Sequence, residues 1–137
     1  MESLTVSDSS PIISFARAGK LHLIREIYNS IIVPPAVFDE IVVKGKDKPG
    51  SEEIRKASWI EVRSPRNQKK VDKLKKEFGA GESETVVLSE EIKAVLLADE
   101  WRVIKEARRR GLRITSTLLT LKKAKRKGLI ESVKKEK

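Results

Sequence analysis

The feature that most constrains this chain is the alternation of two apolar rhythms along it. Short β-branched or aliphatic runs exchange with stretches whose apolar residues recur every third or fourth position, and Gly, Pro or Asn stands at many of the junctions. Leu4-Thr5-Val6-Ser7-Asp8 reads as a strand, and Ser9-Ser10-Pro11 starts a helix that runs from Ile12 to Arg17 and ends at Gly19. Leu21, Leu23, Ile24 and Ile27-Tyr28 give a second helix stopping near Asn29. Ser30-Ile31-Ile32-Val33 reads as a buried strand cut off by Pro34-Pro35, followed by a helix carrying Val37, Phe38, Ile41 and Val42.

After a polar connector, residues 44–50, a helix from Ser51 to Ala57 leads to Trp59-Ile60-Glu61-Val62, whose alternation predicts an edge strand. A charged helix spans Asn67 to Phe78, Gly79-Ala80-Gly81 is expected to break it, and a further helix runs from Glu82 to Ile92. Ala94 to Ala98 is an apolar strand ending at Asp99. Then come a helix from Glu100 to Arg110, a strand from Leu112 to Thr115 and a basic helix from Thr117 to Lys127. Short apolar strands separated by helices require cover on both faces, which predicts a three-layer α/β/α sandwich around a mostly parallel sheet. At 137 residues the expectation is a single domain, 1–137, with a basic C-terminal helix and tail over 117–137.

Composition narrows the chemistry. The chain has no cysteine, so disulfides, thiol catalysis and zinc ribbons are excluded, and His22 is the only imidazole. Acid, base and metal chemistry must rest on carboxylates. No apolar run approaches the roughly 18 residues of a membrane span, and MESLTVSDSS lacks the basic and apolar regions of a signal peptide, so a soluble cytoplasmic protein is the default expectation. A high Lys, Glu and Arg content with a single Gln resembles the composition of thermophile proteins.

The carboxylates fall in a pattern. In an open parallel sheet, ligands bind beyond the carboxyl ends of the strands. Asp8 and Asp99 each close a predicted strand, Glu82 and Glu84 lie in the first turn of a helix, and Glu40 sits on the helix after the second strand. Each position also has a plain structural role. Asp8 can cap the helix that begins at Ser9, Asp99 can cap the next helix, and Glu82 and Glu84 can complement a helix dipole. Of Asp39 and Glu40, about 100° apart on a helix, only one is expected to face inward. Gathered at one rim, Asp8, Glu40, Glu82 and Asp99 would raise one another's pKa values unless a hard divalent cation neutralised them. Mg2+ or Mn2+ suits such an oxygen set.

Charge is equally uneven. Residues 1–100 hold 16 basic and 17 acidic residues, whereas residues 101–137 hold 14 basic and 3 acidic, so all of the +10 excess sits in the C-terminal quarter. That is the footprint of a polyanion site, or of a solvated helix face. No aromatic interleaves the basic helix, and Trp59 and Trp101 are expected to serve packing. Gly79-Ala80-Gly81-Glu82-Ser83-Glu84 lacks the third glycine of a dinucleotide loop and follows a helix, and no Walker loop or nucleophile elbow is present.

Five segments then carry a family likeness: Val6-Ser7-Asp8-Ser9-Ser10-Pro11-Ile12-Ile13; Val33 to Ile41; Gly81-Glu82-Ser83-Glu84; Leu96-Leu97-Ala98-Asp99-Glu100; and Ser116-Thr117-Leu118-Leu119 with the run from Ala124 to Ile130. In this order they resemble the PIN-domain family, specifically its prokaryotic VapC-like subgroup. The resemblance implies a metal-dependent ribonuclease acting on single-stranded RNA, with Asp8, Glu40, Glu82 and Asp99 as the catalytic, ion-holding acids and Ser10 as the hydroxyl beside the first of them. Glu84 competes with Glu82 for the third position, which is Glu where many PIN nucleases have Asp. Ser-Thr-Leu-Leu replaces the subgroup's usual Gly-Thr-Leu-Gly. Arg108, Arg109, Arg110, Lys122, Lys123 and Arg126 are the candidates to hold the RNA backbone. A homodimer is a further implication, whereas an antitoxin partner stays open, because the resemblance does not by itself imply one. Two other readings stay open: a PIN-like binding module without turnover, and a phosphoacceptor signalling domain, for which a suitably placed lysine is hard to find.

Overall fold

Strand formation follows the β-branched runs. The computed structural model describes residues 3–130, in which β1 (Thr5–Ser7), β2 (Ile31–Val33), β3 (Ile60–Val62), β4 (Val95–Leu97) and β5 (Ile114–Thr115) form one sheet in the order β3-β2-β1-β4-β5. Every pairing is parallel. All residues of β1 and β2 are buried, whereas β3 is mostly exposed, as the alternation around Trp59 predicted for an edge.

Between the strands run α1 (Ser9–Arg17), α2 (Leu21–Tyr28), α3 (Pro35–Phe38) continued by a π-helical turn (Asp39–Val43), α4 (Ser51–Lys56), α5 (Gln68–Leu74), α6 (Ala80–Ile92), α7 (Trp101–Arg109) and α8 (Thr117–Arg126). One apolar cluster packs α1, α2, α3, α4 and α8 on β2 through Ile12, Phe15, Ile24, Val37, Ile54 and Leu121. A second packs α5, α6 and α7 on β4 through Val71, Val86, Leu96 and Val103. The sheet is therefore covered on both faces, the three-layer α/β/α arrangement that the apolar strands required.

The order of strands positions the site. From β1 the chain moves outward to β2 and β3 on one side, then crosses over to β4 and β5 on the other, so the direction of winding reverses between β1 and β4. Helices that leave the sheet on opposite sides of that seam open a crevice at its carboxyl end. The register sets Ser7 beside Leu97, and Asp8 N donates to Leu97 O at 3.0 Å. The residues that follow β1 and β4 are thus locked at a common level.

Three local expectations shift. The charged helix α5 stops at Leu74, not Phe78, and starts after Asn67, whose side chain accepts from Lys70 N at 3.1 Å. The break before α6 falls at residues 75–79, not at 79–81. Gly79 caps α6, and Ala80 and Gly81 lie inside its first turn, so Glu82 falls on the third helical residue and accepts from Gly79 N at 3.0 Å. The segment after β2 widens into a π-helical turn at Asp39–Val43, a feature frequent at functional sites.

Gly81 packs α6 closely against α3: a Cβ there would lie 3.3 Å from Val37 Cγ2 and 3.6 Å from Glu40 Oε1. Gly81→Val is expected to destabilise the protein by about 2 kcal/mol through overpacking, read as a lower urea midpoint with an unchanged m-value.

Candidate active site

The crevice at the seam holds a cavity of about 550 Å³, bordered by Asp8, Ser9 and Ser10 from the start of α1, Asp39 and Glu40 from the π-helical turn, the first turn of α6 with Glu82, and Glu100 before α7. Each acid arrives by a different local cause. Asp8 is the extended residue between β1 and α1, and its Oδ1 accepts from Ser9 N at 2.8 Å. Helix capping and a place in the cavity are thus met by the same side chain. Glu40 Oε1 accepts from Ser9 Oγ at 2.8 Å, which draws the π-helical turn toward α1. Asp39 and Glu40 both border the cavity, against the expectation that only one could, because the widened turn rotates less per residue than an α-helix.

Asp8 is only 4% exposed. Burial pushes its carboxyl up from the ordinary 3.8 to about 6, against the lowering effect of the Ser9 N–H, and the charges of Glu82, Glu40 and Asp99 add to the rise. Glu100 is raised further, from 4.5 to about 7. Contact with the Glu82 carboxyl is the largest cause, followed by burial and the Glu82 charge, with the Arg102 guanidinium opposing. Glu100 lies at the surface, so this is chiefly a consequence of two acids in contact.

Asp99 and Glu84 turn elsewhere. Asp99 Oδ1 accepts from Thr117 N at 2.8 Å and its Oδ2 accepts from Thr117 Oγ1, so this carboxylate clasps the start of α8 rather than the next helix. It borders a separate, mostly apolar cavity with Phe15, Ala18 and Leu121, though its charge still reaches Asp8. Glu84 accepts from Ala36 N at 3.0 Å and holds the first turn of α3. Of the two glutamates in the Gly-Glu-Ser-Glu stretch, Glu82 is therefore the one that faces the cavity. Glu100 was missed in the sequence, where it reads as one more first-turn acid. Its adjacency to Asp99 at a strand end was the only available signal.

The set fits a hard divalent cation in kind: its donors are all carboxylate oxygens, one of them buried and two in contact with each other. Among the described residues, however, no three Asp, Glu or His side chains are gathered tightly enough to be a ready-made ligand shell. Mg2+ typically takes one or two carboxylates and keeps several waters, so the donors present suffice for it without such a shell. His22 is exposed on α2, away from this rim.

Of the basic candidates, Arg108 and Arg109 border an open groove beside α7, and Lys122, Lys123 and Arg126 are exposed on α8. Lys123 Nζ lies 5.6 Å from the centre of the Tyr28 ring. Arg110 is committed to ion pairs, with Glu106 at 2.7 Å and Glu90 at 3.1 Å, and its side chain is only 18% exposed.

A sequence model of the PIN domain matches residues 4–136. The chain belongs to the PIN-domain family. PIN domains are nuclease-type modules that bind nucleic acid, in keeping with an acid cavity at the winding reversal and a basic C-terminal quarter. A comparison with curated proteins finds no match. No helix among the described residues is long and apolar enough to cross a membrane.

Linkage gives this PIN domain a testable pH signature. Below about pH 4 the Asp8 carboxyl is protonated in both folded and unfolded chains and costs nothing. Between about 4 and 6 the unfolded chain loses its proton first, so stability falls as pH rises, and above 6 the loss is complete. An amide oxygen at this position still accepts from Ser9 N. Asp8→Asn is therefore expected to stabilise the metal-free protein by about 1 to 3 kcal/mol at pH 8 and to leave it nearly unchanged at pH 4, as read by urea unfolding at the two pH values.

Proposed function

We propose that this PIN domain is a metal-dependent endoribonuclease that hydrolyses phosphodiester bonds of single-stranded RNA, with Mg2+ or Mn2+ held at the acid cavity. The observation that carries the reading is the buried Asp8 carboxyl, raised to about 6 by burial and by the neighbouring charges of Glu82, Glu40 and Asp99. An arrangement so costly to the folded chain has a use if a cation offsets it. Asp8 and Glu82 are the proposed direct ligands, with Glu40, Asp99 and Glu100 acting through water. Bound there, a divalent ion supplies acidified water and compensates charge on the scissile phosphate.

The chain's own groups do the rest. The Ser9 N–H fixes Asp8 and the Ser9 hydroxyl fixes Glu40, so both acids are held before RNA arrives. The exposed Ser10 hydroxyl at the cavity edge can donate to a phosphate oxygen. Attack by water leaves 5′-phosphate and 3′-hydroxyl ends. Arg108, Arg109, Lys122, Lys123 and Arg126 would hold the RNA backbone, with little preference for sequence. The likeness to VapC-like proteins supports extending this reading to a dimeric, toxin-type ribonuclease.

A second reading is a binding module without turnover, favoured by the lack of a closed three-acid ligand shell among the described residues. Two measurements separate the readings. Calorimetric titration with Mn2+ should show saturable heat that vanishes in Asp8→Asn. The same variant should retain RNA binding in EDTA while cleavage of single-stranded RNA in Mg2+ falls at least 100-fold. Saturable metal binding with no cleavage by the unaltered protein would favour the module, and undiminished cleavage by Asp8→Asn would remove Asp8 from the chemistry.

A further inference from the structure

We infer that Trp101 is a base-stacking platform for single-stranded RNA, placed at the exit of the acid cavity and continued by the basic groove along α7. The inference rests on the nuclease reading for the direction of the strand, but not for the contact itself. Trp101 is the first residue of α7, directly after Glu100, which borders the acid cavity. The sequence suggested a packing role, yet the residue is 60% exposed and joins none of the three apolar clusters. Trp59, by contrast, packs against the core as expected.

The ring's recorded partner is the Arg108 guanidinium, 5.5 Å from its centre and two turns along the same helix. The next residue, Arg102, about 100° round the helix, lies 5.0 Å over the half-buried Phe78 ring. Phe78 and four basic residues, Arg102, Lys105, Arg108 and Arg109, line an open groove of about 560 Å³ together with the acids Glu77 and Glu106. An exposed indole face flanked by guanidinium groups suits an unpaired base, because every base offers a π face and every linkage a phosphate. A folded protein partner would find a rim dominated by positive charge. Within 101–110 five Arg or Lys residues accompany a single acid, Glu106, which is paired with Arg109 and Arg110. A strand whose phosphate enters the acid cavity would therefore place a neighbouring base on Trp101 and its next phosphates along the groove.

The test uses the full chain in EDTA, where cleavage plays no part. Fluorescence anisotropy is measured with a labelled single-stranded RNA 12-mer and with an abasic strand of the same length, for the unaltered protein, Trp101→Phe and Trp101→Ala. Stacking on one base predicts a loss of roughly 5- to 100-fold in affinity for the base-bearing strand in Trp101→Ala, a smaller loss in Trp101→Phe, and unchanged affinity for the abasic strand. Because the residue is exposed, unchanged melting temperatures of both variants are expected. Equal loss on both strands, or no loss on either, would overturn the inference. A protein that shows the predicted loss yet never cuts RNA in Mg2+ refutes the nuclease reading and keeps the platform. A protein that cuts while Trp101→Ala binds like its parent does the reverse.

Discussion

A carboxylate that the fold buries among other carboxylates is the constraint on which this protein turns. Asp8 closes the central strand of a parallel sheet, at the one place where the winding reverses, and neighbouring helices bring Glu40 and Glu82 toward it. In water such groups would separate. Here they are fixed by bonds with their own structural logic: the cap of α1, the Ser9 hydroxyl on Glu40, the Glu82 reach-back to Gly79, and the close approach of α6 to α3 at Gly81. The folded chain answers the repulsion by keeping protons, on Asp8 up to about pH 6 and on Glu100 up to about 7. Held protons of this kind are what a divalent cation can replace.

The same rim shows how a fold divides its acids between scaffold and chemistry. Asp99 and Glu84 carry the same functional groups as Glu100 and Glu82 and lie one or two residues from them. The first is spent on the N-terminus of α8 and the second on that of α3. Helix α8 is held in turn by the Tyr28 hydroxyl, 2.6 Å from Thr120 Oγ1 and 3.3 Å from Thr115 Oγ1. The basic residues of α8 thereby gain a fixed position relative to the sheet, which a frayed helix could not provide.

Much of this was legible in the chain itself. The short apolar runs around Val6, Ile31-Ile32-Val33 and Leu96-Leu97, punctuated by Pro34-Pro35 and by glycines, announce a doubly covered parallel sheet, and Asp8 at the end of the first run announces its ligand rim. What was not legible depends on contacts distant in sequence. Whether Asp99 or Glu100 enters the cavity is decided by Thr117, 18 residues on. Whether Glu82 or Glu84 does so is decided by the open Ala36 N–H, 48 residues back. The π-helical turn that lets Asp39 and Glu40 both reach the cavity, and the exposure of Trp101, have no periodicity to betray them.

Carbon-13 NMR titration of the side-chain carboxyl groups tests the central claim most directly, followed with and without saturating Mg2+. In EDTA, Asp8 should titrate near 6 and Glu100 near 7, and both midpoints should fall below about 5 when Mg2+ is added, because the cation takes the place of the retained protons. Midpoints near the ordinary carboxylate values in EDTA, or elevated midpoints that Mg2+ leaves unmoved, would contradict the account.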